Sequence, residues 1–174
     1  MAQLIAPTTA LHRPWLELRD DFGPGAHLDG SGLHDGDDVD SAAGFAAWVA
    51  RLGSESDPAR PLAADRVHCT YWWIVQGESV LGSISLRHEL NDFLFEAGGN
   101  IGYSVRPSAR RRGLAAYAVG VVLKEAAGLG LERVLITCNV TNEASRRVIE
   151  HHGGVQEDIR ETALGTIRRY WITL

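Results

Sequence analysis

The sequence predicts an α/β (α+β) fold in which a mixed, mostly antiparallel sheet of about seven strands is flanked by helices. Two observations carry this prediction. Apolar runs separated by short turns form hairpin patterns at residues 67–87 and 155–174, and amphipathic helices connect the strands between them. The length of 174 residues fits a single domain, 1–174.

The first third of the chain contains one short strand and two helices. Gln3–Ala6 is predicted as the strand, and Leu11–Leu18 as a helix whose first turn tolerates a proline. Ser41–Leu52 is predicted as the second helix because its apolar residues recur at helical spacing. Between the helices, Phe22–Asp40 is rich in Gly and Asp and long for a compact domain, so we expect a functional loop.

The middle of the chain is predicted to be mainly β-structure. Val67–Val75 and Val80–Arg87 flank a glycine-containing turn and predict a hairpin. Apolar residues at i, i+3 and i+4 within His88–Ala97 predict a short helix, which a Gly-Gly pair ends. Asn100–Val105 is predicted as the next strand.

The last third alternates helices and strands. Gly113–Leu129 carries the longest apolar stripe and predicts the longest helix. Leu131–Cys138 is apolar throughout, which is typical of a strand buried on both faces. A helix is predicted from about Asn142 to His152, and residues 155–161 and 167–174 predict a closing hairpin.

The charge distribution excludes some functions. The formal net charge of −5 argues against general nucleic-acid binding, which requires a basic surface. Seven aspartates and no Lys or Arg occur between Asp20 and Ala50. The loop is therefore either a solvated acidic surface or an acidic rim that faces a cationic substrate. Its calcium-like pattern fails at Val39, Asp40 and Ala46, so we expect no metal site.

Targeting and cysteine content indicate a cytoplasmic protein. The N-terminus lacks the basic and apolar regions of a signal peptide, and no apolar run reaches the roughly 20 residues that span a bilayer. Cys69 and Cys138 lie far apart in apolar strands, where buried free thiols are expected. We therefore expect no membrane contact and a reducing compartment.

One stretch predicts an anion site. The strand that ends at Val105 is followed by a proline, by Arg110, Arg111 and Arg112, and then by Gly113 at the start of a helix. Helix N-termini offer free amides and partial positive charge, and arginine donors match phosphate oxygens. We interpret this stretch as a diphosphate-binding turn.

These residues resemble the GNAT superfamily of acyl-CoA N-acyltransferases. Arg110-x-x-Gly113-x-Ala115 matches its pyrophosphate signature and follows a strand, as in that family. Asn142-Glu-Ala-Ser145, after the strand Leu131–Cys138, is similar to the family's Asn-x-x-Ala/Ser helix start. A short pattern is weak alone, but the order of motifs and elements agrees along nearly the whole chain. Within the superfamily, Arg87-His-Glu-Leu-Asn91 followed by Gly-Gly-x-Ile-Gly-Tyr103 resembles a branch of predicted acetyltransferases with unassigned substrates.

The resemblance implies a site for acetyl-CoA as co-substrate. The pantetheine arm would lie in a splayed gap of the sheet, beside backbone groups of the fourth strand, and the diphosphate would bind the turn. Asn142 would contact the pantetheine or a nearby water, and Arg146 or Arg147 could reach the adenosine phosphates. Together the implied binding residues are Tyr103, Ser104, Val105, Arg110, Arg111, Arg112, Gly113, Leu114, Ala115, Asn142 and Ser145.

The catalytic groups are less clear from the pattern. The position where many family members carry a tyrosine acid, seven residues after the helix-start asparagine, is Ile149. Tyr103, Tyr117 and Tyr170 are possible substitutes. For the base, we predict Glu89 first and His88 second, because the polar cluster after the third strand is expected to face the acceptor; a surface turn is the alternative.

The sequence thus predicts an N-acetyltransferase that transfers acetyl from acetyl-CoA to a primary amine by direct attack in a ternary complex. The acidic loop favours a cationic small molecule or peptide as acceptor. A CoA-binding module without catalysis is the alternative, since the tyrosine is absent. An unrelated phosphate- or nucleic-acid-binding protein is disfavoured, because the sequence has no Walker lysine or Gly-x-Gly-x-x-Gly motif. The family often forms dimers, so a homodimer is also an expectation.

Overall fold

The computed structural model describes residues 1–174 as seven strands and four α-helices. In chain order these are β1 Gln3–Ile5, α1 His12–Phe22, α2 Ala42–Glu55, β2 Cys69–Gln76, β3 Ser79–Arg87, β4 Ile101–Val105, α3 Leu114–Gly128, β5 Arg133–Asn139, α4 Glu143–His151, β6 Val155–Thr162 and β7 Gly165–Thr173.

The seven strands form two antiparallel sheets rather than one continuous sheet. The first has the order β1-β2-β3-β4 and the second β5-β7-β6. Strands β4 and β5 are therefore the facing edges of the two sheets. The predicted fold class, a seven-stranded sheet flanked by helices and splayed in the middle, is confirmed.

Each face of the first sheet covers a separate core. Side chains alternate between the faces of a strand, and Tyr71 and Trp73 of β2 point toward α1 and α2, where they pack with Trp48. Ile84 of β3 points the other way and packs with Val119 of α3. From Val80 to Leu86, β3 is buried on both faces, and every residue in this stretch is apolar or small.

Asn100 joins the facing edges through hydrogen bonds of its backbone and its side chain. Asn100 is 2% exposed, and its amide donates to the Leu135 carbonyl at 2.7 Å. Its side-chain Oδ1 accepts from the Leu135 amide at 2.8 Å, and its Nδ2 donates to the Arg87 carbonyl at 3.1 Å. No backbone hydrogen bond joins residues 101–105 to β5. The two edges are therefore fastened at Asn100 and unpaired beyond it.

The structure differs from the sequence-based expectation after β3. His88–Ala97 is not a regular short helix: His88 and Glu89 form a bend, and a π-helical turn follows at Leu94–Gly98. The His88 amide donates to the His68 carbonyl at 2.8 Å, which extends the strand pairing. Asn91 Oδ1 accepts from the Leu94 amide at 2.9 Å, so the helical turn starts only there.

Helix α1 also extends to Phe22, four residues beyond the predicted end at Leu18. None of the helices is long and apolar enough to span a bilayer.

We predict that Asn100→Ala lowers the free energy of unfolding by about 2–4 kcal/mol, because it leaves the Leu135 amide and the Arg87 carbonyl without their buried partners. Chemical denaturation measures this loss. Asn91→Ala is the matched control, since Asn91 also makes two side-chain hydrogen bonds but is only partly buried. Equal losses in the two variants would show that Asn100 has no special role in joining the sheets.

Candidate active site

The turn between β4 and α3 presents free backbone amides. Gly113 caps α3 with a left-handed φ of +74°, and Arg111 also has a positive φ of +60°. The first bond of the helix runs from the Tyr117 amide to the Gly113 carbonyl at 2.9 Å. The amides of Leu114 and Ala115 therefore have no partner within the helix. Such a concave set of amides at the positive end of a helix dipole suits an anion.

Three arginines surround this turn without pairing to any carboxylate. Arg110 Nε donates to the Val105 carbonyl at 3.1 Å, and Arg112 Nη2 donates to Gln76 Oε1 at 2.6 Å. Arg111 makes no hydrogen bond to the protein and is exposed. The charge of all three guanidinium groups is thus available to an anionic ligand.

The arginines of the second predicted cluster behave differently. Arg146 pairs with Glu143 at 2.7 Å and with Glu150 at 3.3 Å, and Arg168 also reaches Glu143. Arg147 is exposed and unpaired. Of the two arginines expected near the adenosine phosphates, only Arg147 keeps a free charge.

An ion pair holds the turn against α1. Asp21, at the end of α1, accepts from Ser108 Oγ at 2.6 Å and from Arg106 Nε at 2.9 Å. The hydrogen bonds from Ser108, followed by those from Arg106, lower the pKa of Asp21 to about 2. The carboxylate therefore stays ionised at neutral pH and fixes the chain just before the arginine turn.

The edge of β4 is open along the gap. The Arg106 amide bonds to the Leu81 carbonyl of β3. Because successive residues of a strand direct their backbone groups to opposite sides, those of Tyr103 and Val105 face away from β3, toward the gap. Ser104 does not line the gap with its side chain, since its Oγ lies 3.2 Å from Ser83 Oγ on the α1–α2 face of the sheet.

The side chain of Tyr103 reaches across to α4. Tyr103 Oη lies 2.7 Å from Ser145 Oγ. Asn142 caps α4 by accepting from the Ser145 amide at 3.0 Å, so the three predicted residues are brought together at the start of this helix. Burial raises the pKa of Tyr103 to about 12, and the phenol is protonated at neutral pH.

The other proposed substitutes for the missing tyrosine lie elsewhere. Ile149 is fully buried in α4. Tyr117 is 43% exposed on the outer surface of α3, and Tyr170 lies on β7 within 3.4 Å of Glu150. Tyr103 is the one of the three that hydrogen-bonds to the Asn-x-x-Ser helix start.

A cavity of about 270 Å³ lies on the α1–α2 face of the first sheet. The loop that follows α1 forms one wall, where Gly30 packs directly on Gly102 of β4 and leaves no room for a side chain. Ser83 Oγ donates to the Asp29 carbonyl at 3.3 Å and further fixes this loop. Charged side chains of Asp29, Asp65, Arg66 and Arg87, with His27 and His34, line the cavity.

Most of the acidic loop serves structural roles. Of the seven aspartates between Asp20 and Ala50, five contact arginines or a helix start: Asp20, Asp21, Asp37, Asp38 and Asp40. Asp29 lies at the cavity 3.2 Å from His27, and Asp35 is exposed. The loop thus contributes one carboxylate to the cavity wall rather than an acidic rim.

The structure places the two predicted catalytic residues outside this cavity. His88 Nε2 lies 2.8 Å from Thr70 Oγ1, and Thr70 points to the face of β2 opposite to Tyr71, which lines the cavity. Burial lowers the pKa of His88. Glu89 is exposed in the bend after β3. Their catalytic role stays a prediction. Of the polar cluster after β3, Asn91 does line the cavity.

Sequence reasoning missed the cavity residue His27, included Asp29 only as part of the acidic loop, and gave Arg87 no role in binding. These residues meet only through contacts between the loop and the sheet, so no sequence motif brings the three together. The sequence signal that could have indicated the cavity is the pair Gly30 and Gly102, since a side chain at either position would crowd the packing of the loop on β4. The structure contains no group of three or more His, Cys, Asp or Glu residues arranged to hold a metal ion.

Solved structures with the same fold include several acetyltransferases. RimJ of Mycobacterium smegmatis, solved with CoA-disulfide, has a TM-score of 0.74 and 18% identity over 99% of this chain and 81% of its own. RimL, a ribosomal L7/L12 α-N-protein acetyltransferase solved with coenzyme A, has a TM-score of 0.73 and 16% identity, covering 99% and 94%. The microcin C7 self-immunity acetyltransferase MccE, in complex with acetyl-CoA and AMP, has a TM-score of 0.70 and 14% identity, covering 99% and 92%.

Sequence comparison identifies the family. Among curated proteins none matches this sequence. The family model described as acetyltransferase (GNAT) domain matches residues 36–155, which is more than half of the chain and includes the arginine turn, the open edges and the start of α4. The chain therefore belongs to the GNAT family of acetyltransferases.

Proposed function

We propose that this protein is an acetyl-CoA-dependent N-acetyltransferase that acts on a primary amine of a small molecule or peptide by direct attack in a ternary complex. One observation carries the proposal. An arginine turn with free amides and three unpaired guanidinium groups lies at the end of β4, beside the gap between the open edges of β4 and β5. This arrangement combines an anion site with a slot for an extended, hydrogen-bonding chain.

The residues present fit coenzyme A. Residues Arg111 to Ala115 would hold the diphosphate with their amides, with Arg110, Arg111 and Arg112 supplying charge. The outward backbone groups of Tyr103 and Val105 would pair with the amides of the pantetheine arm, as an added strand would. Asn142 and Ser145, at the start of α4, lie beside the same gap.

Acetyl-CoA supplies the thioester whose C–S bond breaks as the amine nitrogen forms a new C–N bond. The ammonium must lose one proton before the neutral amine attacks, the nitrogen loses a second proton as the amide forms, and the leaving thiolate takes up one, so that one proton is released overall. Tyr103 and Ser145 form a hydroxyl pair that can deliver the proton that the thiolate takes up. Burial raises the pKa of Tyr103 to about 12, so the phenol carries its proton at neutral pH. We therefore propose that Tyr103, through Ser145, replaces the tyrosine that is missing at Ile149.

For the base, the site offers a pair that competes with the sequence-based choice of Glu89 and His88. His27 Nε2 and Asp29 Oδ1 are 3.2 Å apart at the cavity, next to Gly30, which packs on Gly102 of β4. A base on this side of β4 would face an amine bound in the cavity. We propose that His27 and Asp29 accept the proton of the ammonium.

The acceptor class follows from the cavity and from the relatives. RimL is described as acting on ribosomal protein L7/L12, and a further structure with 15% identity is described as modifying the N-terminal serine of that protein. A peptide N-terminus is therefore one candidate acceptor. The small cavity also suits a free amine of low molecular mass.

We further propose that the protein works in the cytoplasm, where acetyl-CoA is available and where the buried free thiols of Cys69 and Cys138 stay reduced. A homodimer remains a prediction from the family.

We predict that Gly113→Glu abolishes acetyl-CoA binding, because its carboxylate would place negative charge in the anion site. The protein should stay folded, since the space beside Gly113 is open. Calorimetric titration with acetyl-CoA measures the affinity. Gly130→Glu is the matched control: Gly130 has a similar φ of +83° and equally open surroundings, but it lies beyond the other end of α3. Unchanged affinity in Gly113→Glu would refute the diphosphate site.

We predict that Tyr103→Phe lowers kcat by about 10- to 100-fold. This loss is at or below the smallest rate effects that general acids usually have, because a thiolate leaves readily without a proton. Steady-state kinetics measures this loss. Tyr117→Phe is the control, because Tyr117 is exposed and makes no hydrogen bond through its hydroxyl. If Tyr103→Phe keeps the parent kcat, as the control should, Tyr103 is not the proton donor.

We predict that Asp29→Asn lowers kcat/KM by about 100-fold or more, as expected for loss of a general base. His27→Gln should act in the same direction. Asp35→Asn serves as the control, since Asp35 belongs to the same loop and is exposed like Asp29, but it does not line the cavity. A loss of this size in Glu89→Gln, with Asp29→Asn unaffected, would instead support the sequence-based choice.

A further inference from the structure

The cavity wall contains one cation that the protein leaves without a counter-charge. Arg87, at the end of β3, is half-buried. Its Nη1 donates to the carbonyls of Gly98 and Gly99, both at 3.1 Å. No carboxylate pairs with Arg87, and its Nε and Nη2 have no partner in the protein. Two neutral carbonyls orient this guanidinium without neutralising it.

The other arginines of this region are paired. Arg51 contacts Asp37 at 2.6 Å and Glu55 at 2.7 Å, and Arg66 contacts Glu55 at 3.1 Å. An arginine loses hydration when it is partly buried, and a carboxylate normally compensates that loss. Arg87 lacks this compensation although it lies in a cavity, so a bound anion would supply it.

Arg87 and the His27–Asp29 pair both lie close to one residue of β4. A methyl group placed on Gly102 would lie 3.7 Å from Arg87 Nη1 and 3.2 Å from the Gly30 amide nitrogen. Gly30 fills the space over Gly102, so Arg87 and the loop that carries Asp29 meet at this point of β4. Arg87 and Asp29 both line the cavity, so a ligand within it would meet a cation and a carboxylate, which fits a zwitterion.

The size and remaining wall of the cavity narrow the ligand further. About 270 Å³ is slightly below the range of drug-sized pockets, which begins at roughly 300 Å³. The apolar part of the wall includes Leu28, Leu33, Val67, Phe93 and Leu94. Such a cavity accommodates an amino acid with an apolar side chain.

We propose that the acceptor is a free amine of amino-acid size that carries a carboxylate, and that Arg87 binds this carboxylate while the amine points toward the β4 edge. The assignment rests on the proposed N-acetyltransferase function. The proposal favours free amino acids over peptide N-termini, because in a peptide the α-carboxyl group of the first residue is part of a neutral amide bond.

The test compares acceptors that differ only in this group. L-Leucine, L-phenylalanine and L-methionine are each assayed against their C-terminal amides with acetyl-CoA, over a range of pH that corrects for the different amine pKa values. We expect at least one amino acid to be preferred over its amide by about tenfold or more in kcat/KM. Arg87→Gln should reduce this ratio at least about tenfold, and Arg87→Lys should restore part of it.

Arg66→Gln is the matched control, because Arg66 also lines the cavity but is paired with Glu55. We expect it to leave the ratio of carboxylate to amide unchanged. If Arg87 only holds Gly98 and Gly99 in place, its replacement will lower kcat/KM for both members of each pair alike and leave the ratio intact. That result, or a general preference of the parent protein for amides, overturns the proposal.

A binding measurement separates this proposal from the proposed function. The N-acetylated amino acids and their N-acetylated amides are titrated into the parent protein and Arg87→Gln by calorimetry, without acetyl-CoA. Binding of the carboxylates that is lost in Arg87→Gln supports the anion site even if no amine is acetylated, in which case the enzymatic function alone fails. Equal binding of carboxylates and amides, or none, overturns the role of Arg87.

Discussion

The site depends on the way Asn100 joins two sheets at one point. Its backbone and side chain together satisfy Leu135 of β5 and the Arg87 carbonyl of β3, and the buried bonds hold both sheet edges in place. Beyond this point the edges of β4 and β5 stay unpaired. An unpaired edge is normally a liability. Here the two edges face each other over a gap, and the exposed backbone groups are the ones proposed above to bind the pantetheine arm.

Pairing of charge divides the arginines into two groups. Those that hold elements together have carboxylate partners, such as Arg106 with Asp21 between the arginine turn and α1, and Arg51 with Glu55 beneath the cavity. Those at the α3 turn, Arg147 and Arg87 have no carboxylate partner. Because a carboxylate lies close to most other partly buried arginines, Arg87 in particular marks a position where the chain leaves charge for a ligand. Arg87 lies near the start of β4 and the arginine turn follows its end; in the function proposed above, the first serves the acceptor and the second the donor.

The proposed coenzyme A site was predictable because its residues lie close together in the sequence. A strand end, three arginines and a glycine follow one another in the chain, and the helix start at Asn142 is a capping pattern that the structure shows as such. The acceptor side was not, because it forms through contacts between distant residues. The acidic loop suggested a cationic ligand, but most of its carboxylates are paired within the protein, a fact that only the fold reveals. Likewise, Glu89 and His88 were expected to face the acceptor, but neither lines the cavity, and His88 lies within hydrogen-bond distance of Thr70.

The structural relatives share with this chain the arrangement of helices and strands. Fold similarity at 14–18% identity covers nearly the whole chain, and it extends to the elements that frame the gap. The cavity proposed for the acceptor is built by a loop that packs glycine on glycine, at Gly30 and Gly102, and by the orientation of Arg87 against two carbonyls. In the function proposed above, substrate choice therefore depends on this loop contact and on Arg87, whereas coenzyme A binding depends on the arginine turn at the other end of β4.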